Sequence, residues 1–287
     1  MTFHAPFELI AHGAESGTYR MSLPGWNIVL RGGMAGAYIA MGATLMIIVS
    51  TGVAPVLGVG IAQTLMGFVF PLGIILTFLT GAELFTGDAM LVPFAASYIG
   101  QRKGRSIIRL LFLSYIGNLT GAIFFAGLVT YGVLLQPSPE GMTAGASAVT
   151  MVAFASERCS YPGFVGIGSC FIKAVAAGWL LNLAILLGIC ADDAIGKIAG
   201  MWFPSMALAS TGLEHSITNA ALIPAGLFCA PHLTFLQIAQ VGPLVGNLSW
   251  SSFILVNLIP SSIGNLLGGM IFPGMLLWIA YKREMAQ

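Results

Sequence analysis

From Gly32 to Ala82 the chain carries no Asp, Glu, Lys or Arg for 51 residues. One crossing of a bilayer takes about 20 residues. A stretch this long must therefore enter hydrocarbon, leave it and enter again, and Thr51-Gly52-Val53-Ala54-Pro55 is the obvious turn. The remainder is similar: of 287 residues, 57% are hydrophobic and 7% charged, where a soluble domain has roughly 25% charged. So much apolar surface cannot be hidden in one core, and most of it faces lipid. A soluble globular enzyme is excluded. Eleven basic against ten acidic residues also leave too weak a field to hold nucleic acid.

The pattern predicts an all-α membrane protein of six spans: 27–51, 59–99 with a break near 80–88, 106–135, 168–190, 197–229 with a break near 211–216, and 250–281. Residues 1–26 form a head in which Pro6 to Arg20 reads as a short interfacial helix or as a disordered segment. With Glu8, Glu15 and no continuous apolar stretch, the first 20 residues are not expected to be a cleavable signal. Residues 27–135 make one three-span half, 136–167 an extracytoplasmic linker, 168–281 a second half, and 282–287 a tail. If six spans are drawn, Arg20, Arg31, Arg102, Lys103, Arg105, Arg109, Lys197, Lys282 and Arg283 fall on one side, and Arg158 and Lys173 on the other. Nine against two predicts cytoplasmic termini and a multi-pass protein of the plasma (inner) membrane. Cys159, Cys170, Cys190 and Cys229 match neither a zinc pattern nor a redox CxxC and read as buried free thiols. Neither a metal nor another cofactor is expected.

The second and fifth spans are too long for simple crossings, and each is interrupted by Gly and Glu. Unpaired backbone at bilayer depth costs several kcal/mol, so such breaks survive only where they line a cavity or lie within protein. The two breaks resemble each other: Thr80-Gly81-Ala82-Glu83 and Thr211-Gly212-Leu213-Glu214 stand 131 positions apart. Gly117-Asn118-Leu119-Thr120-Gly121 likewise matches Gly264-Asn265-Leu266-Leu267-Gly268 at an offset of 147, the extra residues falling around 229–250. Two matches in the same order suggest a duplicated half, and three spans per half would invert the second relative to the first. Half-helices starting near Gly87 and Ser216 would then aim their N-terminal ends, each worth roughly half a positive charge, at the midplane. That geometry favours an anion. Gly117, Gly121, Gly264 and Gly268 suit close helix packing.

Ionisable side chains at this depth cost about 2.5 to 3.5 kcal/mol and need a partner or a purpose. His215, the histidine inside a span, reads as a proton or hydrogen-bond donor to a weak-acid anion, or as a neutral ring satisfying loop carbonyls. Thr86 would offer its hydroxyl or backbone N–H to the same ligand, or cap its half-helix. Glu83 and Glu214, at equivalent positions, are expected to pin the breaks by accepting loop N–H groups, and Asp88 to cap and offset its helix dipole. Lys173 would gather anions at the mouth or snorkel to the interface. Phe70, Ile74, Leu84, Phe85 and Leu208 would form apolar constrictions or simply pack.

At Gly81-Ala82-Glu83-Leu84-Phe85-Thr86-Gly87 and at Gly212-Leu213-Glu214-His215-Ser216-Ile217-Thr218-Asn219, the sequence resembles the formate/nitrite transporter family. Ile259 to Gly269 and the six-span layout fit too, so the resemblance covers nearly the whole chain. It implies a homopentamer of aquaporin-like protomers, each with a pore for a small anion such as formate, nitrite or hydrosulfide. By that similarity Thr86 and His215 face a central chamber, and Leu84, Phe85, Phe70 and Leu208 sit at constrictions. Asn182 and Lys173 belong to the vestibule, and Asn219 to the second break. The Asn-Pro-Ala boxes of aquaporins are missing. Leu213, Leu208, Thr218 and Ala220 depart from the residues common in the family, as does the nine-residue spacing of Lys173 and Asn182. These departures bear on substrate preference.

The expected function is passive or proton-coupled passage of a small weak-acid anion, formate first, with nitrite or hydrosulfide as alternatives. An intramembrane hydrolase using Ser169 and His215 is the rival from another class, although no G-x-S-x-G is present. The lack of a phosphate-binding loop disfavours an ATP-driven pump.

Overall fold

The computed structural model describes residues 4–98 and 104–284. Arg102 and Lys103, counted above among the flanking charges, lie outside these residues, as do the end of the second predicted span and 285–287 of the predicted tail.

The head is a helix, α1 (Pro6–Ser22), begun by a proline in its first turn and by Glu8, whose carboxylate accepts the Ala5 N–H at 2.7 Å. Its apolar face is buried through Ile10 and Ala14. His4, just ahead of it, bonds Asp192 at 2.8 Å and ties its start to the end of the fourth long helix. α2 (Gly25–Ser50) follows, then the predicted turn, in which Gly52 has φ 75°. α3 (Val59–Leu79) is two helices joined at Phe70, where Pro71 opens the second piece. After the first break come α4 (Phe85–Tyr98) and α5 (Gly104–Leu134), the last turn of which is wound as a π-helix.

The stretch expected to be a linker contains ordered structure. A hairpin pairs β1 (Leu135–Ser138) with β2 (Gly141–Ala144), and α6 (Ala146–Arg158) follows. α7 (Gly163–Ile189) starts five residues earlier than the sequence suggests. α8 (Ala194–Ser210) is capped by Asp193, which accepts the Gly196 N–H at 2.8 Å, and α9 (Ser216–Cys229) lies beyond the second break. Short helical turns and a seven-residue helix, Phe235–Val241, occupy the region expected to absorb the longer offset. α10 (Trp250–Tyr281) closes the described chain and contains two π-helical stretches.

Among the described residues, five helices are long and apolar enough to cross a membrane: α2, α3, α5, α7 and α10. The fifth predicted span is divided between α8 and α9, of 17 and 14 residues, so neither reaches that length alone. Glycine sets the closest helix contacts. A Cβ on Gly117 would lie 2.6 Å from the Val29 carbonyl oxygen of α2, and one on Gly264 would lie 2.7 Å from the Phe171 carbonyl oxygen of α7. The α2–α5 and α7–α10 crossings therefore depend on the absence of side chains at those points. All four cysteines are free and buried, as expected.

Candidate functional site

The two breaks have nearly the same backbone. Thr80 ends α3 at φ −87°, ψ −5°, and Thr211 ends α8 at φ −87°, ψ 0°. Gly81 follows at φ 70° and Gly212 at φ 68°, in the left-handed region that a side chain would penalise. Each loop is then tied down by an asparagine from the match first noticed for its glycines. Asn118 accepts the Phe85 N–H at 2.9 Å and donates to the carbonyls of Glu83, at 2.7 Å, and Gly32, at 2.9 Å. Asn265 accepts the Ser216 N–H at 2.8 Å and donates to the carbonyls of Glu214, at 2.9 Å, and Ala174, at 2.8 Å. One fully buried amide thus joins the start of a half-helix, the loop before it and a neighbouring span.

The glutamates pin the breaks through arginines, not through loop N–H groups as the sequence suggests. Arg20 of α1 reaches Glu83 at 2.9 Å and Asp88 at 3.0 Å, and Arg31 stands 3.8 Å from Glu83. Asp88 is therefore an ion-pair partner in the first turn of α4 rather than a cap. At the second break Glu214 is bound by Arg158 and Tyr161, and accepts from Asn219 at 2.6 Å and Asn257 at 3.0 Å. All three carboxylates are at most 1% exposed, so their matched donors are what make burial tolerable. Arg20 and Arg158, counted above as flanking charges, are partly buried anchors, their side chains 15% and 12% exposed.

Between the breaks the structure brings together Thr86 and His215, with Oγ1 and Nε2 at 3.1 Å. His215 is the N-cap of α9, its Nδ1 accepting the Thr218 N–H at 3.3 Å. A backbone N–H can only donate, so Nδ1 is unprotonated in the neutral ring and the proton sits on Nε2, facing Thr86. Asn182 donates to the Thr86 carbonyl at 2.9 Å, and its own Oδ1 has no partner among the described residues. The first N–H of each half-helix goes to an asparagine, and the third goes to the Leu84 carbonyl in α4 and to the His215 ring in α9. The second, on Thr86 and on Ile217, meets no acceptor among the described residues, although both residues are wholly buried. Two buried, unpaired N–H groups at equivalent places are unusual in a folded chain. They leave donors free where each helix end is most positive.

The other predicted residues divide into two groups. Phe70, Ile74, Leu84 and Leu208 belong to the continuous buried apolar core, and Phe85 is buried against the Tyr115 ring at 4.8 Å. Lys173 and Asn182 have different partners: the Lys173 Nζ donates to the Tyr161 hydroxyl at 3.3 Å, and the residue lines a cavity of about 740 Å³ with Arg158, Tyr161, Ser210 and Thr211. It lies ten residues into α7, deeper than the span end predicted. Ser169 is exposed whereas His215 is 1% exposed and occupied by Thr86 and Thr218, so no nucleophile–base pair forms. Asn118, Asn265, Asn257, Tyr161, Arg20 and Arg158 escaped the sequence reading as site residues. The two arginines carried a usable signal, since they precede α2 and α7 at the same distance, 138 positions apart.

Comparison with known proteins places the chain among transporters. Residues 8–279 match the family model described as formate/nitrite transporter. A probable formate transporter of Methanothermobacter thermautotrophicus is 32% identical over 99% of both chains. The formate channel FocA of Escherichia coli (strain K12) is 29% identical over 97% of both. A solved pentameric formate channel with formate bound superimposes with a TM-score of 0.75 at 25% identity, covering 90% of this chain and 98% of that one.

Proposed function

The chain belongs to the formate/nitrite transporter family, and from that membership we propose that it conducts small monovalent weak-acid anions, formate first, passively or with a proton. It is an integral membrane transporter rather than an enzyme. In our reading its six spans form two inverted halves of an aquaporin-like protomer, five protomers assemble with one pore each, and both termini face the cytoplasm across the plasma membrane. The repeated breaks support that layout, as do the basic residues, eight against one once the anchors Arg20 and Arg158 are set aside. The pentameric formate channel at TM-score 0.75 supports the assembly.

The observation that carries the function is that each half-helix start leaves its second backbone N–H, on Thr86 and on Ile217, without an acceptor among the described residues, while Thr86 Oγ1 and His215 Nε2 lie 3.1 Å apart. Donors with no competing acceptor, at helix starts in a water-poor interior, suit a compact anion. The anion loses its water at a neck formed by Phe70, Ile74, Leu84, Phe85 and Leu208, and is held by these donors with the Thr86 hydroxyl and Asn182 nearby. A proton given by His215 converts it to the neutral acid, which crosses the next apolar neck without the cost of moving charge into low dielectric. Lys173, on the cavity of about 740 Å³, raises the local anion concentration.

Flux of formate, nitrite and hydrosulfide into proteoliposomes across a pH series tests this. His215→Phe is expected to lower formate flux by roughly two orders of magnitude, the scale of losing a positioned proton donor. Unchanged flux in that variant would overturn the role of the ring, and nitrite outrunning formate at every pH would reassign the substrate.

A further inference from the structure

We infer that the Thr218 hydroxyl is a positioning residue that allows His215 to exist both as a neutral ring and as an imidazolium, and that proton-coupled transport depends on it. The inference rests on the reading of His215 as a proton donor. Thr218 Oγ1 lies 2.8 Å from His215 Nδ1, and the Thr218 backbone N–H points at the same nitrogen from 3.3 Å. The hydroxyl is therefore the partner of Nδ1 that can reverse. It donates to Nδ1 when that atom carries a lone pair, and accepts when Nδ1 carries a proton.

The need for reversal follows from proton bookkeeping. A neutral ring with its proton on Nε2 cannot give that proton away without becoming an imidazolate, which is out of reach in water near neutrality. The donor must be the imidazolium. The Nε2–H bond then breaks, an O–H bond forms on the carboxylate, and Nδ1 keeps its proton, leaving a neutral ring and a neutral acid. Hydronium on the pore side later returns a proton to Nε2, leaving water. Loss of the Nδ1 proton to water then restores the resting Nε2–H tautomer, at which point the Thr218 hydroxyl turns from acceptor to donor. While the acid is being formed Nδ1 is protonated and faces the Thr218 backbone N–H, donor against donor. The Thr218 hydroxyl, rotated to accept, is the group that makes this arrangement tolerable.

No charged side chain competes for the role. Glu214 precedes the ring, but its carboxylate is engaged by Arg158, Tyr161, Asn219 and Asn257. On α4, Thr86 is neutral and Asp88 is turned to Arg20, while on α7 Asn182 is neutral. Among the described residues, none with a formal charge lies within hydrogen-bond or ion-pair distance of the imidazole.

The test compares formate flux at acidic and neutral pH in proteoliposomes holding the wild type, Thr218→Val and Thr218→Ser. The acid stimulation of flux falls roughly tenfold in Thr218→Val, the scale of one hydrogen bond to a charged group, and Thr218→Ser restores it. Should Thr218→Val not assemble, Thr218→Ala also lacks the hydroxyl and needs less room, so it carries the same expectation. A hydroxyl-free variant that keeps the wild-type slope, or an assembled Thr218→Ser that loses it, overturns the inference alone. A flat wild-type profile overturns the proton-coupled reading and this inference with it.

Discussion

At the first break Glu83 shares its surroundings with Asp88 and is met by Arg20 and, farther off, Arg31. At the second, Glu214 has Asn219 in the position of Asp88 and one cation, Arg158, with Tyr161 and Asn257 as further donors. The first anchor is thus two carboxylates against two guanidiniums, and the second is one of each with neutral donors making up the rest. Both balance their charge, and the second also gives each oxygen of its buried carboxylate two donors. What the two have in common is a matched anchor, not a fixed amount of charge, because a mismatch in low dielectric costs more than a matched pair contributes. In each case the cation arrives on the helix before the half it stabilises, α1 or α6. Small residues seat both helices. Gly17 of α1 lies under the Leu91 carbonyl and the Ala95 methyl group of α4, and Ala155 of α6 lies over Gly226 of α9.

The comparison is broken most severely by removing a cation. Arg158→Met leaves Glu214 without a charge partner and is expected to destabilise the protein by about 3 to 5 kcal/mol, read as a large drop in melting temperature in detergent. Arg20→Met should cost less, because Arg31 remains and two adjacent carboxylates can share one proton. Equal losses would mean that Arg31, 3.8 Å from Glu83, contributes nothing.

The sequence shows the outline of this arrangement because membrane folding leaves plain signs. The 51-residue uncharged stretch forces a re-entry, and a glycine beside a glutamate in an apolar run marks a break. The turn at Thr51 to Pro55, the positive φ at Gly81 and Gly212, and the glycine crossings follow from such local rules. The anchors do not, since an arginine at the edge of a span reads equally as a flanking charge or a buried partner. Only the fold brings Arg20 to Glu83 across 63 positions and Arg158 to Glu214 across 56. Asn118 and Asn265 hide for another reason: their glycine neighbours already account for the motif by packing. α6 is lost because its Ala- and Ser-rich sequence is too short for a span and too polar for a core, so the stretch reads as linker.

Asn219→Asp sharpens the comparison by giving the second anchor the acid of the first without a second arginine. It replaces the amide that donates to Glu214 at 2.6 Å by a like charge or a shared proton. A loss of about 2 kcal/mol is expected, within the range for a buried polar group whose donor is removed. It should be larger at neutral than at acidic pH, because protonation of one acid restores a donor.

The reciprocal change, Asp88→Asn, should have the smallest effect. Asp88 Oδ1 accepts from Arg20 at 3.0 Å, while Oδ2 has no hydrogen-bond partner among the described residues. An asparagine keeps the oxygen for Arg20 and offers its amide where Asp88 leaves an unpaired oxygen, as Asn219 offers its amide to Glu214. Arg20 would then serve one carboxylate, the arrangement already stable at the second break. Stability within about 1 kcal/mol of the wild type is therefore expected, with a melting temperature that varies less with pH than that of the unmodified protein. A loss comparable to that of Arg158→Met would show that the first break needs its second acid for a reason the second break does not share.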